Sequence, residues 1–174
     1  MVRIMEENDW KIEIATKKDI PFILEVFKER CAWFLENHID QWGDWYYTEL
    51  YDEDYFSDAM DLYTVYTVRD DIKIIGVFLL KEENKKYWKD RKRAYYIDHF
   101  ASRVGYPGVG KFMLKFIKTL ALENGVDCLR LEAMRSNPRI NEYWKHSGFE
   151  NKGNFDKPYE GVYWEKRLLH DKNK

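Results

Sequence analysis

The sequence predicts one α/β domain with a mixed, mostly antiparallel central sheet flanked by helices. Short segments rich in β-branched and aromatic residues alternate with longer ones whose apolar residues recur at helical spacing. The two kinds follow one another in the order β-α-α-β-β-β-α-β-α-β-β, with no repeat, linker or low-complexity stretch between them. The chain of 174 residues is 45% hydrophobic and 17% aromatic, enough for a single packed core, expected over residues 10–169 of a domain spanning 1–174.

Trp10 to Ala15 alternates Ile12 and Ile14 with Lys11 and Glu13, the pattern of a half-buried strand. Thr16 and Asp19 form a capping box, and Pro21 suits the first helical turn. Ile20, Ile23, Leu24, Phe27, Cys31, Phe34 and Leu35 then give that helix one apolar face. A second helical piece lies within Glu49 to Met60. Leu62 to Val68 and Ile72 to Lys81, split by Asp70-Asp71, read as an antiparallel pair. Asn84 to Arg93 is a polar connection into a strand at Arg93 to Ser102. The helix after Gly105–Gly110 carries the stripe Phe112, Met113, Phe116, Ile117, Leu120 and Ala121, and stops at Asn124-Gly125. Val126 to Met134 is a strand. Asn137 and Pro138 open a helix that ends at Gly148, and Tyr159 to Leu168 closes the sheet.

The formal charge of −2 argues against a nucleic-acid coat, and the basic run Lys85, Lys86, Lys89, Arg91, Lys92, Arg93 reads as a solvated turn that blunts strand edges. The longest strongly apolar run, Ile74 to Leu80, is too short to span a bilayer, and Met1 to Trp10 has no signal-peptide core. A cytoplasmic location without membrane contact is expected. Cys31 and Cys128 lie too far apart for a disulfide framework or a metal motif, and His38, His99, His146 and His170 are scattered, so no metal is expected. No nucleophile elbow is present, and Ser102 and Ser136 have no nucleophile context.

Charge is uneven along the chain. Cys31 to Val68 contains no Lys or Arg, and holds Glu36, Asp40, Asp44, Glu49, Asp52, Glu53, Asp54, Asp58 and Asp61. Trp42, Trp45, Tyr46, Tyr47, Tyr51, Tyr55 and Phe56 are interleaved with them. Such a segment is either a solvated helix pair whose rings fill the core, or a wall that admits a cation.

The chemistry-bearing segment is Gly105-Tyr106-Pro107-Gly108-Val109-Gly110, a glycine turn between a strand and a helix. Without side chains at Gly108 and Gly110, a phosphate can approach the backbone N–H groups, and the helix dipole favours the anion. Gly105 through Lys111 matches a Walker loop up to its last position, where Phe112 stands in place of the Ser or Thr that holds magnesium. The same turn resembles the Q/R-x-x-G-x-G/A signature of the Gcn5-related N-acetyltransferases (GNAT), with Gly105 at the opening position and both later glycines in place. Asn137, Ile140, Gly148 and Phe149 are similar to that family's N-x-x-A-x-x-x-Y-x-x-x-G-F stretch, and Trp33-Phe34 with Ile39-Asp40-Gln41-Trp42 resembles its first-helix pattern.

The resemblance implies an acetyl-CoA-dependent N-acetyltransferase that transfers acetyl to a primary amine by direct attack in a ternary complex. It places the pyrophosphate on the amides of Gly108, Val109, Gly110 and Lys111. The pantetheine arm falls along Phe100, Ala101 and Ser102, with Asn137 beside it. Lys111, Lys115, Arg139 and Lys145 are the cations near a 3'-phosphate. By position the candidate bases are Asp98, His99 and Glu132, and alternation along the strand turns Asp98 and His99 to opposite faces. The family's general-acid tyrosine falls on Trp144, which cannot release a proton. Tyr143 is its neighbour, and unassisted departure of the thiolate is the other option. The acidic, aromatic segment corresponds to the acceptor wall, which implies a small cationic amine, with a basic peptide as the alternative. A non-catalytic acyl-CoA-binding module and a degenerate Walker-loop nucleotide-binding domain stay open. Dimers are common in the family, and nothing in the sequence decides for or against a homodimer.

Overall fold

The computed structural model describes residues 5–7, 9–42, 46–82 and 88–169. Asp44 and Trp45 of the acidic segment, Lys85 and Lys86 of the basic run, His170 and residues 1–4 lie outside the described residues. The elements are β1 (Met5–Glu7), β2 (Trp10–Ile14), α1 (Ile20–Glu36), α2 (Tyr46–Leu50), α3 (Glu53–Leu62), β3 (Thr64–Asp70) and β4 (Lys73–Lys81). They continue as β5 (Ala94–Ser102), α4 (Val109–Glu123), β6 (Cys128–Met134), α5 (Pro138–His146), β7 (Glu150–Phe155) and β8 (Gly161–Arg167). The α/β class and the mostly antiparallel sheet flanked by helices are as the sequence implies.

Two elements differ from the sequence reading. β1 is a three-residue edge strand whose Met-Glu-Glu has no alternation of its own. It forms by pairing antiparallel with β2, Met5 opposite Ile12. The single helical piece expected within Glu49 to Met60 is two helices, because Asp52 caps a new one: its Oδ1 accepts the Tyr55 N–H at 2.9 Å.

The chain divides into two compact units, residues 1–80 with 99–116, and residues 81–98 with 117–174. β5 and α4 run through both.

In the first unit β1, β2, β3 and β4 are antiparallel neighbours in chain order. Asp19 turns the chain from β2 into α1: its carboxylate accepts the Thr16 N–H at 2.8 Å and the Thr16 hydroxyl at 3.0 Å. Ile20, Ile23, Val26 and Phe27 from α1 then bury against Phe56 and Ala59 of α3 and Val65, Ile74, Val77 and Leu79 of the sheet. The first turn of α4 packs on β4 at Gly76, where a Cβ would lie 2.8 Å from Val109 Cγ1. Glycine is required there by close approach.

In the second unit β5 pairs parallel with β6 over only three residues, Ala94 to Tyr96 against Cys128 to Arg130. β8 lies antiparallel between β6 and β7. The buried Arg130 donates to Glu165 from Nε at 2.9 Å and from Nη2 at 2.7 Å, and the Trp88 ring lies 4.1 Å from its guanidinium carbon. Lys92 donates to the same carboxylate at 2.9 Å. The basic connection is thereby anchored by ion pairs. Among the described residues no helix is long and apolar enough to cross a membrane.

Candidate active site

The glycine turn takes its shape from backbone conformation. Gly105 and Gly108 have φ of +83° and +96°, the left-handed region that a side chain strains. The first hydrogen bond of α4 runs from the Phe112 N–H to the Gly108 carbonyl at 3.0 Å. Helix geometry therefore leaves the N–H groups of Val109, Gly110 and Lys111 directed out of the first turn. Gly108 and Lys111 are exposed, and Val109 is the buried anchor. Phe112, where a Walker loop needs a hydroxyl, is buried with its ring 6.0 Å from that of Trp10. That position holds α4 to β2 and offers no metal ligand.

The end of β5 leads into this turn. Phe100 and Ser102 are half-buried and Ala101 is buried. The Ser102 carbonyl accepts from the Arg30 guanidinium, Nε at 2.8 Å. Arg103 bridges from the Ile74 carbonyl at 2.8 Å to Glu29 at 2.7 Å and Glu25 at 3.0 Å, tying α1 to the same strand end. Burial pulls the Arg30 guanidinium down from its ordinary value, with Glu29 opposing.

One residue earlier along β5, His99 has φ +49°. Its buried imidazole receives two phenols: Tyr47 Oη lies 2.5 Å from Nδ1 and Tyr55 Oη 2.7 Å from Nε2. The rings of Phe27, Tyr47, Tyr51, Tyr55 and Phe56 surround it, with centroids 4.7 to 6.1 Å away.

The second unit holds the candidate carboxylates. Asp98 is half-buried and accepts from Lys81 Nζ at 2.6 Å. Glu132 accepts from Tyr96 Oη at 2.5 Å and Tyr159 Oη at 3.0 Å. Both residues lie beyond the last positions at which β5 and β6 pair with each other. Burial, the Glu132 charge and the hydrogen bond to it all push the Tyr96 phenol upward, so it stays protonated and donates. Asn137 is buried and caps α5, its Oδ1 accepting the Ile140 N–H at 3.2 Å. Trp144 is buried with its ring 5.4 Å from Phe149, the Phe of the G-F pair. The Tyr143 hydroxyl is buried without a well-formed hydrogen bond among the described residues. Burial pushes that phenol up to about 12, with nearby Ser147 opposing. Arg139 and Lys145 are exposed. Cys31 and Cys128 are buried, and burial pushes each thiol up to about 11, as inert core thiols.

Similarity to solved structures is extensive and deep in geometry, though low in sequence. A GNAT-family acetyltransferase from Listeria monocytogenes superposes with a TM-score of 0.76 at 19% identity, covering 95% of this chain and 100% of its own. The chain has the GNAT fold. The PaiA N-acetyltransferase from Thermoplasma acidophilum, solved in complex with coenzyme A, shares that fold at TM-score 0.72 and 15% identity, over 91% of this chain and 99% of its own. So does the Salmonella typhimurium acetyltransferase that modifies the N-terminal serine of ribosomal protein L7/L12, at 0.71 and 14%, over 96% and 100%. No family model matches the sequence, and no curated protein matches it.

Within the GNAT fold the two motifs stand in the expected elements, the glycine turn opening α4 and Asn137 opening α5. The partners of the candidate side chains were not visible in the sequence. Tyr47 and Tyr55 lie 52 and 44 positions from His99, and Tyr96 and Tyr159 lie 36 and 27 from Glu132. The available signal was the density of tyrosines in the acidic segment.

Proposed function

We propose that this chain is a cytoplasmic acetyl-CoA-dependent N-acetyltransferase whose acceptor is the primary amine of a small cationic molecule. The observation that carries the reading is the turn at 105–110, with left-handed glycines feeding the open N-terminus of a 15-residue helix. The N–H groups of Gly108, Val109, Gly110 and Lys111 would take the pyrophosphate. Phe100, Ala101 and Ser102 would follow the pantetheine arm. Acetyl-CoA supplies the thioester that the amine attacks.

In the second unit Asn137 holds the entry to α5, and Trp144, at the position of the family's tyrosine, is a buried indole that can donate a hydrogen bond without losing a proton. Tyr143 keeps its proton at neutral pH and is the donor assigned to the departing sulfur. Glu132 and Asp98 are the candidate carboxylate bases. Each is engaged, Glu132 by two phenols and Asp98 by Lys81. The cationic acceptor is supported by the exposed acids Glu49, Asp52, Glu53, Asp54 and Asp58 around the half-buried rings of Tyr51 and Tyr55.

A second reading, transfer to a protein N-terminus, draws on two structural neighbours. One modifies the N-terminal serine of L7/L12, and another, from Escherichia coli, is the ribosomal-protein-S18-alanine N-acetyltransferase. Thiol release from acetyl-CoA, measured over polyamines, aminosugars, neutral amines and short peptides beginning with Ala or Ser, tests both. The small-cation reading expects kcat/KM for polyamines or aminosugars at least about tenfold above neutral amines, roughly 1.4 kcal/mol. Transfer to peptides alone transfers the case to the second reading. Acetyl-CoA binding without thiol release from any amine leaves a binding module.

A further inference from the structure

We propose that Tyr55 and His99 form a relay that takes the proton from the acceptor ammonium, with Tyr55 at its mouth and His99, fixed from behind by Tyr47, receiving the proton. The relay rests on the acetyl-transfer reading above. An alkylammonium titrates near 10 and must lose a proton before its nitrogen can attack. An imidazole, ordinarily near 6.5, lies closer to that value than a carboxylate, ordinarily near 4.

The geometry gives the imidazole both connections it needs. Tyr55 is half-buried, so part of the residue is open to solvent, and its hydroxyl lies 2.7 Å from Nε2. Tyr47 is buried, and its hydroxyl lies 2.5 Å from Nδ1. A neutral imidazole has one N–H and one lone pair. In the competent tautomer Nδ1–H donates to Tyr47 and Nε2 accepts the Tyr55 O–H. The ammonium N–H bond then breaks as its proton bonds to Tyr55 Oη, and its electron pair stays on nitrogen for attack on the thioester carbon. The original Tyr55 proton moves to Nε2. The product is an imidazolium with both N–H groups donating, which returns its proton to solvent by the same path.

The backbone is bent for this contact. A non-glycine residue seldom adopts φ +49°, and here that conformation turns the imidazole into the ring cluster. Among the described residues whose rings face it, the titratable ones are Tyr47 of α2, Tyr51 before α3 and Tyr55 of α3. Phe27 of α1 and Phe56 of α3 are neutral. Tyr55 is the catalytic residue in this scheme, and His99 and Tyr47 act through it.

The test is kcat/KM against pH for the wild type, Tyr55→Phe, His99→Gln and Phe56→Leu, with a cationic amine and with a fluorinated ethylamine already neutral at pH 7. For the cationic amine at neutral pH, Tyr55→Phe and His99→Gln are expected to fall about 10²-fold, a general base's share, with the acid limb moved upward. For the fluorinated amine both should stay within about twofold of wild type, since no proton need be removed before attack; the N–H proton lost after attack leaves with the thiolate as the C–S bond breaks, for either amine. Phe56→Leu loosens the same cluster while leaving every hydroxyl and the imidazole, and should keep the wild-type profile even with a lowered Tm. Wild-type profiles in Tyr55→Phe and His99→Gln would overturn the relay while leaving the transferase reading intact. So would equal losses on both amines. A wild type that releases no thiol from any amine would remove the transferase reading, and the relay with it.

Discussion

The contact between Gly76 and the first turn of α4 gives a sharp test of how the glycine turn is held. A Cβ added at Gly76 would lie 2.8 Å from Val109 Cγ1, 3.1 Å from Val68 Cγ2 and 3.2 Å from Met113 Sδ. Val109 is the first residue of α4 and fully buried, and its β-branched side chain has one strongly preferred rotamer in a helix. It cannot swing away cheaply, so Gly76→Ala must displace the helix start or strain the side chain. Overpacking of this kind costs about 1–3 kcal/mol. At this chain length that is a fall in Tm of about 2–12 °C. The displaced atoms belong to the turn whose N–H groups would hold the pyrophosphate, so acetyl-CoA affinity should weaken as well, by about three- to tenfold. Thermal unfolding followed by circular dichroism, with calorimetric titration of acetyl-CoA, reads both. A Tm within a degree of wild type would refute the packing argument. A lowered Tm with unchanged affinity would show that the turn keeps its shape independently of β4.

Three further outcomes are expected. Tyr143→Phe removes a buried hydroxyl without a well-formed hydrogen bond, so Tm should hold or rise while kcat falls about tenfold; unchanged kcat would remove Tyr143 from the reaction. Lys81 and Asp98 form a half-buried pair at 2.6 Å, and a double-mutant cycle with Lys81→Met and Asp98→Asn should give a coupling of about 1 kcal/mol, with zero coupling refuting it. Arg69 donates to Glu13 at 2.5 Å and to Asp19 at 2.6 Å. The Lys11 hydrogen bond and Arg69 hold the Glu13 carboxyl below its ordinary value against burial. For Asp19, burial pushes upward and is outweighed by the Thr16 hydrogen bonds and Arg69. Depressed folded-state values mean stabilisation that is present above the ordinary carboxylate values and lost as pH falls through the folded ones. Arg69→Met should therefore flatten the loss of urea stability between about pH 5 and pH 3, and an unaltered slope would contradict the assignment.

The parts of the fold legible in the sequence were those with local causes. Apolar spacing placed α1 and α4, the Asn137-Pro138 pair placed the start of α5, and Asp70-Asp71 separated β3 from β4. β1 was hidden because it exists by pairing with β2, and Met-Glu-Glu has no strand pattern to read. α2 was merged into α3 because the Asp52 cap lay inside a run already dense in acids. The glycine turn was legible for a backbone reason: left-handed conformations such as those at 105 and 108 favour glycine, which has no Cβ to strain. The side-chain partnerships were not, because Tyr47, Tyr55 and His99 meet through tertiary packing at separations no local pattern records. Alternation placed Asp98 and His99 on opposite faces of β5. The left-handed φ at His99, which interrupts the extended strand, is a further bend that alternation alone does not contain.

The central claim is that the turn at 105–110 binds the pyrophosphate of acetyl-CoA. The most direct measurement is the Tm of the protein with and without acetyl-CoA at about 100 times its dissociation constant, beside magnesium-ATP. A ligand at that excess adds about 2.7 kcal/mol, or about 5–11 °C at this size. A shift of that order with acetyl-CoA, and none with magnesium-ATP, is the expected result. A shift with magnesium-ATP alone, or none with either, would contradict it.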